Sequence, residues 1–191
     1  MNTIKIVLTG SSGLAAEISN VLNEACFETG GKIFSVEGVR IEDNLDPEMY
    51  DVFINLAHID FVQVNLLYKF YESWRDDSEK YILNISSRAS KSNISKGYIY
   101  AAQKAALNHL SDNLVYNSNK KCRITTLNLG LLEHSLPSLK YKEVSQLVKY
   151  LLLLPKHIEI PDLTLQNASN YRKLQEKKTV DLIKKRMQPD K

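Results

Sequence analysis

The sequence predicts one doubly wound α/β domain with a mainly parallel sheet, and three observations predict it. Short β-branched or aliphatic runs alternate along the chain with longer segments of helical apolar spacing. The first run, Ile4 to Leu8, breaks at once into Thr9-Gly10-Ser11-Ser12-Gly13, a glycine-containing turn that leads into a helix. The chain has 191 residues, of which 43% are apolar and 25% charged, enough to bury one core without metal or disulfide staples.

The elements follow in order. From Leu14 the apolar positions Leu14, Ile18, Val21, Leu22 and Ala25 recur at three and four, marking a helix that closes near Gly30-Gly31. Lys32 to Val36 gives a second strand and Val52 to Leu56 a third. The fifteen residues Glu37 to Asp51 between them have room for one short helix or a brief excursion, not for helix, strand and helix. A helix from Phe61 to Trp74, a buried strand from Tyr81 to Ile85, a long helix from about Ile99 to Asn117 and a strand from Arg123 to Leu127 follow. Val144 to Leu154 supplies one more helix and Ile158 to Ile160 a last short strand. Helices of ten or more residues between apolar strands imply βαβ crossovers and a sheet covered on both faces. One domain over residues 1–165 is expected, with residues 166–191 a cationic helix or tail belonging to it.

Composition excludes several classes. The longest strongly apolar run, Tyr150 to Leu154, is far short of the roughly 20 residues a membrane helix needs. No basic leader precedes the first apolar segment, so a cytoplasmic protein is expected. Cys26 and Cys122 lack the paired spacing of a zinc site and read as buried thiols, and no metal site is expected. The formal charge of +3 is concentrated in residues 171–191, where eight Lys or Arg face three acids, so the body is slightly acidic. That body carries neither a basic face nor a known reader motif, and no nucleic-acid partner is expected.

Two groups of residues could carry chemistry. Glycines at the carboxyl end of a parallel strand let backbone amides approach a pyrophosphate at a helix N-terminus, and Gly10 and Gly13 suit that use, as they also suit a purely structural turn. Tyr100 and Lys104 stand four apart at the start of a helix, on one face, where a lysine ammonium would stabilise the phenolate of a general acid/base. The same spacing also describes an ordinary solvated pair.

Taken together, Thr9-Gly10-x-x-Gly13, Asn55-x-Ala57, Asn65, Ser87 and Tyr100-xxx-Lys104, each at the expected strand end or helix start, resemble the short-chain dehydrogenase/reductase family over roughly residues 4–165. The resemblance implies a Rossmann-like sheet and hydride transfer between a nicotinamide dinucleotide and a carbonyl or alcohol carbon. It gives Tyr100 the proton exchange with the substrate oxygen, Ser87 a hydrogen bond to that oxygen, and Lys104 the nicotinamide ribose. Asn65 would link Lys104 to solvent through water. Gly10, Ser12, Gly13, Leu14, Asn55, Ala57 and Gly130 would line the cofactor, Gly130 through Asn128-Leu129-Gly130, which resembles the end of the family's sixth strand.

The sequence also departs from that pattern. Ala16 replaces a third glycine and Leu129 a proline. The interval from Glu37 to Asp51 omits the family's third strand, shortening the sheet at that edge. His58 stands where the family has a glycine, and with no partner assigned it is expected to point to solvent rather than to tilt the adenosine. Glu37 after the second strand would accept from ribose hydroxyls and favour NAD over NADP, whereas Arg40 argues the other way. A small carbonyl or alcohol substrate is the expected partner. Leu107, Leu110 and Leu114 of the long helix serve either a second subunit or the intrachain core. Alternatives to an oxidoreductase are a non-catalytic dinucleotide-binding regulator and, less favoured by length, a sugar-nucleotide epimerase or dehydratase.

Overall fold

The computed structural model describes residues 2–24, 32–91, 97–116, 118–133, 138–168 and 180–181. Alternate residues of the first strand, β1 (Asn2–Thr9), face opposite sides, Ile6 and Leu8 one way and Val7 the other, as the two-residue period requires. The remaining elements are α1 (Leu14–Glu24), β2 (Lys32–Val39), β3 (Val52–Asn55), α2 (Val62–Trp74), β4 (Tyr81–Ser87), α3 (Tyr98–Tyr116), β5 (Arg123–Leu129), α4 (Tyr141–Leu153) and β6 (Asp162–Leu165). The strands form one six-stranded parallel sheet in the order β2-β1-β3-β4-β5-β6. Among the described residues no strand lies beyond β2 at its edge, and the interval Glu37 to Asp51 supplies none.

Each face has its own core. Leu14, Ile18 and Leu22 of α1 pack with Val144, Val148 and Leu151 of α4 on Ile6, Leu8, Leu83 and Leu127. On the other face Leu67, Phe70 and Trp74 of α2 and Leu107 of α3 cover Val7, Phe53, Ile82 and Ile124, with the Phe53 and Phe70 rings stacked at 3.9 Å. Leu107 and Leu114 are buried in this second core and Leu110 packs against it, so the leucines of α3 are intrachain core. The helix leaves Tyr98, Ile99 and Tyr116 exposed instead. Cys122 is a buried free thiol, its pKa pushed up to about 11 chiefly by burial. Cys26 and nearly all of the tail lie outside the described residues. No helix among the described residues is long and apolar enough to cross a membrane, and none of them gather three His, Cys, Asp or Glu around a metal position.

The larger differences from the sequence reading are at the end of β2, the start of α4 and the last strand. β2 runs on to Val39, because pairing with β1 continues to Thr9 and the Val39 carbonyl accepts from Gly10 N at 2.7 Å. The chain then reaches β3 through a 3-10 turn at Pro47–Met49, where the Asp46 carboxylate accepts from Glu48 N and Trp74 Nε1 donates to the Pro47 carbonyl at 3.1 Å. Ile41 and Leu45, buried against α2, fill the space over that flank. Helix α4 starts three residues early, because the Glu143 carboxylate accepts from Lys140 N and the Glu133 carboxylate from Tyr141 N, both at 2.8 Å, so that its entry is held by two acids.

The last strand forms at Asp162–Leu165, not at Ile158–Ile160. The Glu159 carboxylate accepts from Ile124 N at 2.7 Å and from Lys120 Nζ at 2.6 Å, holding residues 158–160 across the start of β5 by a side chain. Backbone pairing begins only at the Pro161 carbonyl, which accepts from Thr126 N.

Where the strand order reverses, β2 lies on one side of β1 and β3 on the other, and the loops leaving β1 and β3 diverge. Thr9 ties this crevice together: its fully buried Oγ1 accepts from Leu56 N at 2.9 Å and Ala57 N at 3.0 Å. Thr9→Val keeps the shape and removes the acceptor, so urea denaturation should show a loss of about 1–3 kcal/mol. An unchanged midpoint would mean that the β3 loop does not depend on this hydroxyl.

Candidate active site

The turn after β1 has the backbone its glycines predict. Gly10 and Gly13 both lie at positive φ, +106° and +56°. A Cβ on Gly10 would stand 3.3 Å from the Ala15 Cβ, so a side chain is refused by strain and by space. The Gly10 amide is spent on Val39, whereas those of Ser11, Ser12 and Gly13 have no acceptor among the described residues and sit at the α1 N-terminus. Leu14 turns its side chain into the core, leaving only its backbone near the turn. An anionic pyrophosphate fits this donor set. A residue with no sequence signal closes the other side: the Tyr141 hydroxyl, at the start of α4, lies 3.5 Å from where a Gly13 Cβ would be.

Behind the β3 loop is a buried amide network. Asn55 is fully buried, its Nδ2 donating to the Gln63 carbonyl at 2.9 Å and to Asn84 Oδ1 at 3.1 Å, while its Oδ1 and Asn84 Nδ2 have no partner. The Asn55 side chain therefore pins the entry of α2 to the sheet. Gln63 returns the contact, its Nε2 donating to the Asn55 carbonyl at 2.8 Å and to the Ile85 carbonyl at 3.3 Å.

The Gln63 side-chain oxygen accepts from Lys104. That ammonium, on a residue only 3% exposed, donates to Gln63 Oε1 at 2.6 Å and to the Ile85 carbonyl at 3.1 Å. Burial lowers the Lys104 pKa from 10.5 to about 8. Its Nζ lies 5.7 Å from the centroid of the Tyr100 ring, and Tyr100 is 37% exposed. Asn65 is exposed on the first turn of α2 and makes none of these contacts. The structure brings Gln63, two positions earlier, to the lysine, because on a helix two positions apart means nearly opposite faces.

His58 does not point to solvent. Its imidazole stands edge-on to the Tyr100 ring at 4.9 Å between centroids and shares side-chain hydrogen bonds with Gln63 and Gln103. Burial and then the Lys104 charge push its pKa below the usual histidine value, against the pull of those hydrogen bonds and of Asp60. Contiguous neighbours therefore run from Gly10 to Ala57, whose amide is held by Thr9, to His58, Tyr100 and Lys104. The phenol and the ammonium share the carboxyl edge of the sheet with the glycine turn.

The other sequence candidates are placed as follows. Ser87 ends β4 with its Oγ accepting from Ala89 N at 3.1 Å, whereas Ser86 is buried and donates to Asn108. Asn108 continues to Asn128 Oδ1 at 2.7 Å, and Asn128 to Asp162 at 2.6 Å, a chain that braces β5 and β6. Gly130 is forced by packing, since a Cβ there would lie 3.0 Å from that of Gln166. Glu37 sits within β2, two residues before its end, and its carboxylate accepts from the Tyr50 hydroxyl at 2.8 Å. Arg40, the first residue beyond the strand, stands at the carboxyl edge in its place.

No family model and no curated protein matches the sequence. Solved structures do match the fold. An alcohol dehydrogenase from the archaeon Thermococcus sibiricus, complexed with 5-hydroxy-NADP, aligns over 87% of this chain and 97% of its own at a TM-score of 0.67 and 18% identity. A short-chain dehydrogenase/reductase from Vibrio parahaemolyticus aligns over 84% and 98% at 0.61 and 14% identity. The chain shares the Rossmann-like fold of these two enzymes. A third structure with that fold, the 3-alpha-hydroxysteroid dehydrogenase of Pseudomonas sp. B-0831 complexed with NADH, aligns over 84% and 94% at 0.62 and 15% identity. At these identities the likeness concerns the fold, and the chemistry is argued from the residues.

Two measurements follow. Because the folded Lys104 holds its proton less tightly than the unfolded chain does, the unfolded chain binds more protons between about pH 8 and 10.5, and stability rises with pH across that window. The cost of the charge below pH 8 is up to about 3 kcal/mol, offset in part by its two hydrogen bonds. In urea titrations the difference between wild type and Lys104→Met should shift with pH in that sense, and a pH-independent difference would disprove it. By NMR, His58 should titrate below the ordinary histidine range and move up in Lys104→Met.

Proposed function

We propose that the protein is an NAD(P)-dependent oxidoreductase that interconverts a small carbonyl and an alcohol. The observation that carries this reading is the buried Lys104 ammonium beside the partly exposed ring of Tyr100, on the same sheet edge as a turn with two positive-φ glycines, in which the Ser11, Ser12 and Gly13 amides have no acceptor among the described residues. A dinucleotide bound there would supply the hydride. The protein's own groups do the rest. Amides from Ser11 to Leu14 hold the pyrophosphate, and the backbone at Ala57 lines the path between turn and tyrosine. Tyr100 exchanges a proton with the substrate oxygen, Ser87 donates a hydrogen bond to it, and Lys104 orients the ribose and favours the phenolate.

Gln63 is the residue proposed to hold Lys104, a direct contact distinct from the water-mediated link to solvent that the resemblance gives Asn65. Its amide oxygen fixes the ammonium within reach of the Tyr100 ring. For the cofactor, Arg40 at the end of β2 supports NADP, since Glu37 is engaged with Tyr50 and set back from the edge. The compartment proposed is the reducing cytoplasm, which the free Cys122 fits.

A second reading, a dinucleotide-binding protein without turnover, is favoured by two observations. Lys104 already spends two of its donors within the fold, and His58 stands against Tyr100 where the family pattern has a glycine. Fluorescence titration with NADPH and NADH, followed by a panel of carbonyl substrates, separates the two. The oxidoreductase reading expects NADPH to bind more tightly and a carbonyl to be reduced, with Tyr100→Phe lowering kcat at least 100-fold while cofactor affinity stays within threefold. Turnover that survives Tyr100→Phe would remove the assigned acid/base, and binding with no reduction across the panel would leave the second reading.

A further inference from the structure

At the opposite, amino end of the sheet, residues near the starts of the strands line a cavity. Ile4 of β1, Phe34 of β2, Val52 of β3 and Tyr81 of β4 line it, and Leu152 and Leu154 at the end of α4 close it, around a volume of about 190 Å³. By strand rise, roughly 20 Å separates this end of β4 from the end that carries Ser87. The cavity lies below the range usual for drug-sized ligands, so it suits a small one.

Asp51, Glu79 and Lys156 also line the cavity, Asp51 paired with Lys80 and Glu79 with Lys156, so that of its charged lining residues Arg123 alone has no ion pair among the described residues. Arg123, the first residue of β5, is 9% exposed, and its Nε is buried with no hydrogen-bond partner. Its guanidinium lies on the Tyr81 ring at 4.4 Å, and Tyr81 turns its own hydroxyl away to Thr125 Oγ1 at 2.8 Å. Among the described residues no carboxylate comes within ion-pairing distance of Arg123. The acids near the mouth are engaged elsewhere: Asp51 accepts from Lys5 N and Lys80 Nζ, and Glu79 pairs with Lys156. Glu159, further off, is taken by Lys120 and Ile124 N.

A buried guanidinium with an orphan N–H costs stability unless an anion completes it. The surroundings specify that anion further. A planar fork matches a carboxylate, and aliphatic and aromatic walls match a short hydrocarbon chain or a single ring. We propose that this cavity is a binding site for a small organic carboxylate with an apolar body, seated on Arg123 and separate from the dinucleotide edge. The site does not depend on the oxidoreductase reading, since none of its residues belongs to that edge.

Calorimetric titration of the full chain with hexanoate, 1-hexanol, hexylamine and inorganic phosphate tests it. Hexanoate should bind at least tenfold more tightly than hexanol, with no saturable binding of hexylamine or phosphate. The Arg123 Nε–H resonance of the wild-type protein should shift with hexanoate, a readout that stands even where a variant fails to fold. Arg123→Met should weaken hexanoate at least tenfold, and saturating NADPH should leave its affinity unchanged. Equal affinity for hexanol and hexanoate, an unmoved Arg123 resonance, or displacement of hexanoate by NADPH would each overturn the assignment.

Discussion

The ammonium of Lys104 is the group on which the rest of the candidate site depends. A charge buried on a residue 3% exposed is tolerated only because two oxygens, Gln63 Oε1 and the Ile85 carbonyl, receive it. Those oxygens exist in that place because Gln63 is itself anchored to Asn55, and Asn55 to Asn84, across adjacent strands. The amide network at the carboxyl edge is therefore scaffolding for one cation. The cation in turn lies beside the Tyr100 ring and lowers the proton affinity of His58.

The shortened sheet makes this edge more compact than the alternation of strands and helices alone implies. With no strand beyond β2 among the described residues, the chain crosses from β2 to β3 through a single 3-10 turn, and Ile41, Leu45 and Pro47 seal the flank of α2. The saving in chain length is paid where an adenine would rest, since less protein surface borders that end of the crevice. What remains at the switch point is mostly backbone: amides of the glycine turn with no acceptor among the described residues and the Thr9-bound amides of the β3 loop.

Much of the fold was legible because burial imposes periods that a sequence displays. The short apolar runs Val52–Ile54 and Tyr81–Leu83 lie in strands buried on both faces, and the three-and-four spacing of α1 and α2 marks the stripes that cover them. The last strand was misplaced for a physical reason, since Ile158-Glu159-Ile160 has the composition of a strand but its glutamate is bonded across the chain to Lys120 and Ile124. The period-two pattern of Asp162-Leu163-Thr164-Leu165, half-buried at a sheet edge, was the signal that would have found it. In the site, spacing identified the Tyr100–Lys104 pair and the glycine turn, because both rest on local geometry.

The sequence by itself determined the layered parallel architecture, the left-handed glycines after β1 and the placing of a phenol and an ammonium one helical turn apart. These follow from hard-sphere sterics, the helical repeat and the separation of apolar from polar surface, all of which act between near neighbours in the chain. Only the tertiary structure decided that Gln63 receives Lys104, that His58 faces Tyr100, that Glu37 is drawn to Tyr50, and that no carboxylate among the described residues pairs with Arg123. Each of those outcomes is a pairing between groups on different elements, fixed by strand register and helix rotation. The helical period of α2 does put Gln63 in line with Leu66, Leu67, Phe70 and Trp74 on the inward stripe, but which group that stripe meets is set by how the elements pack.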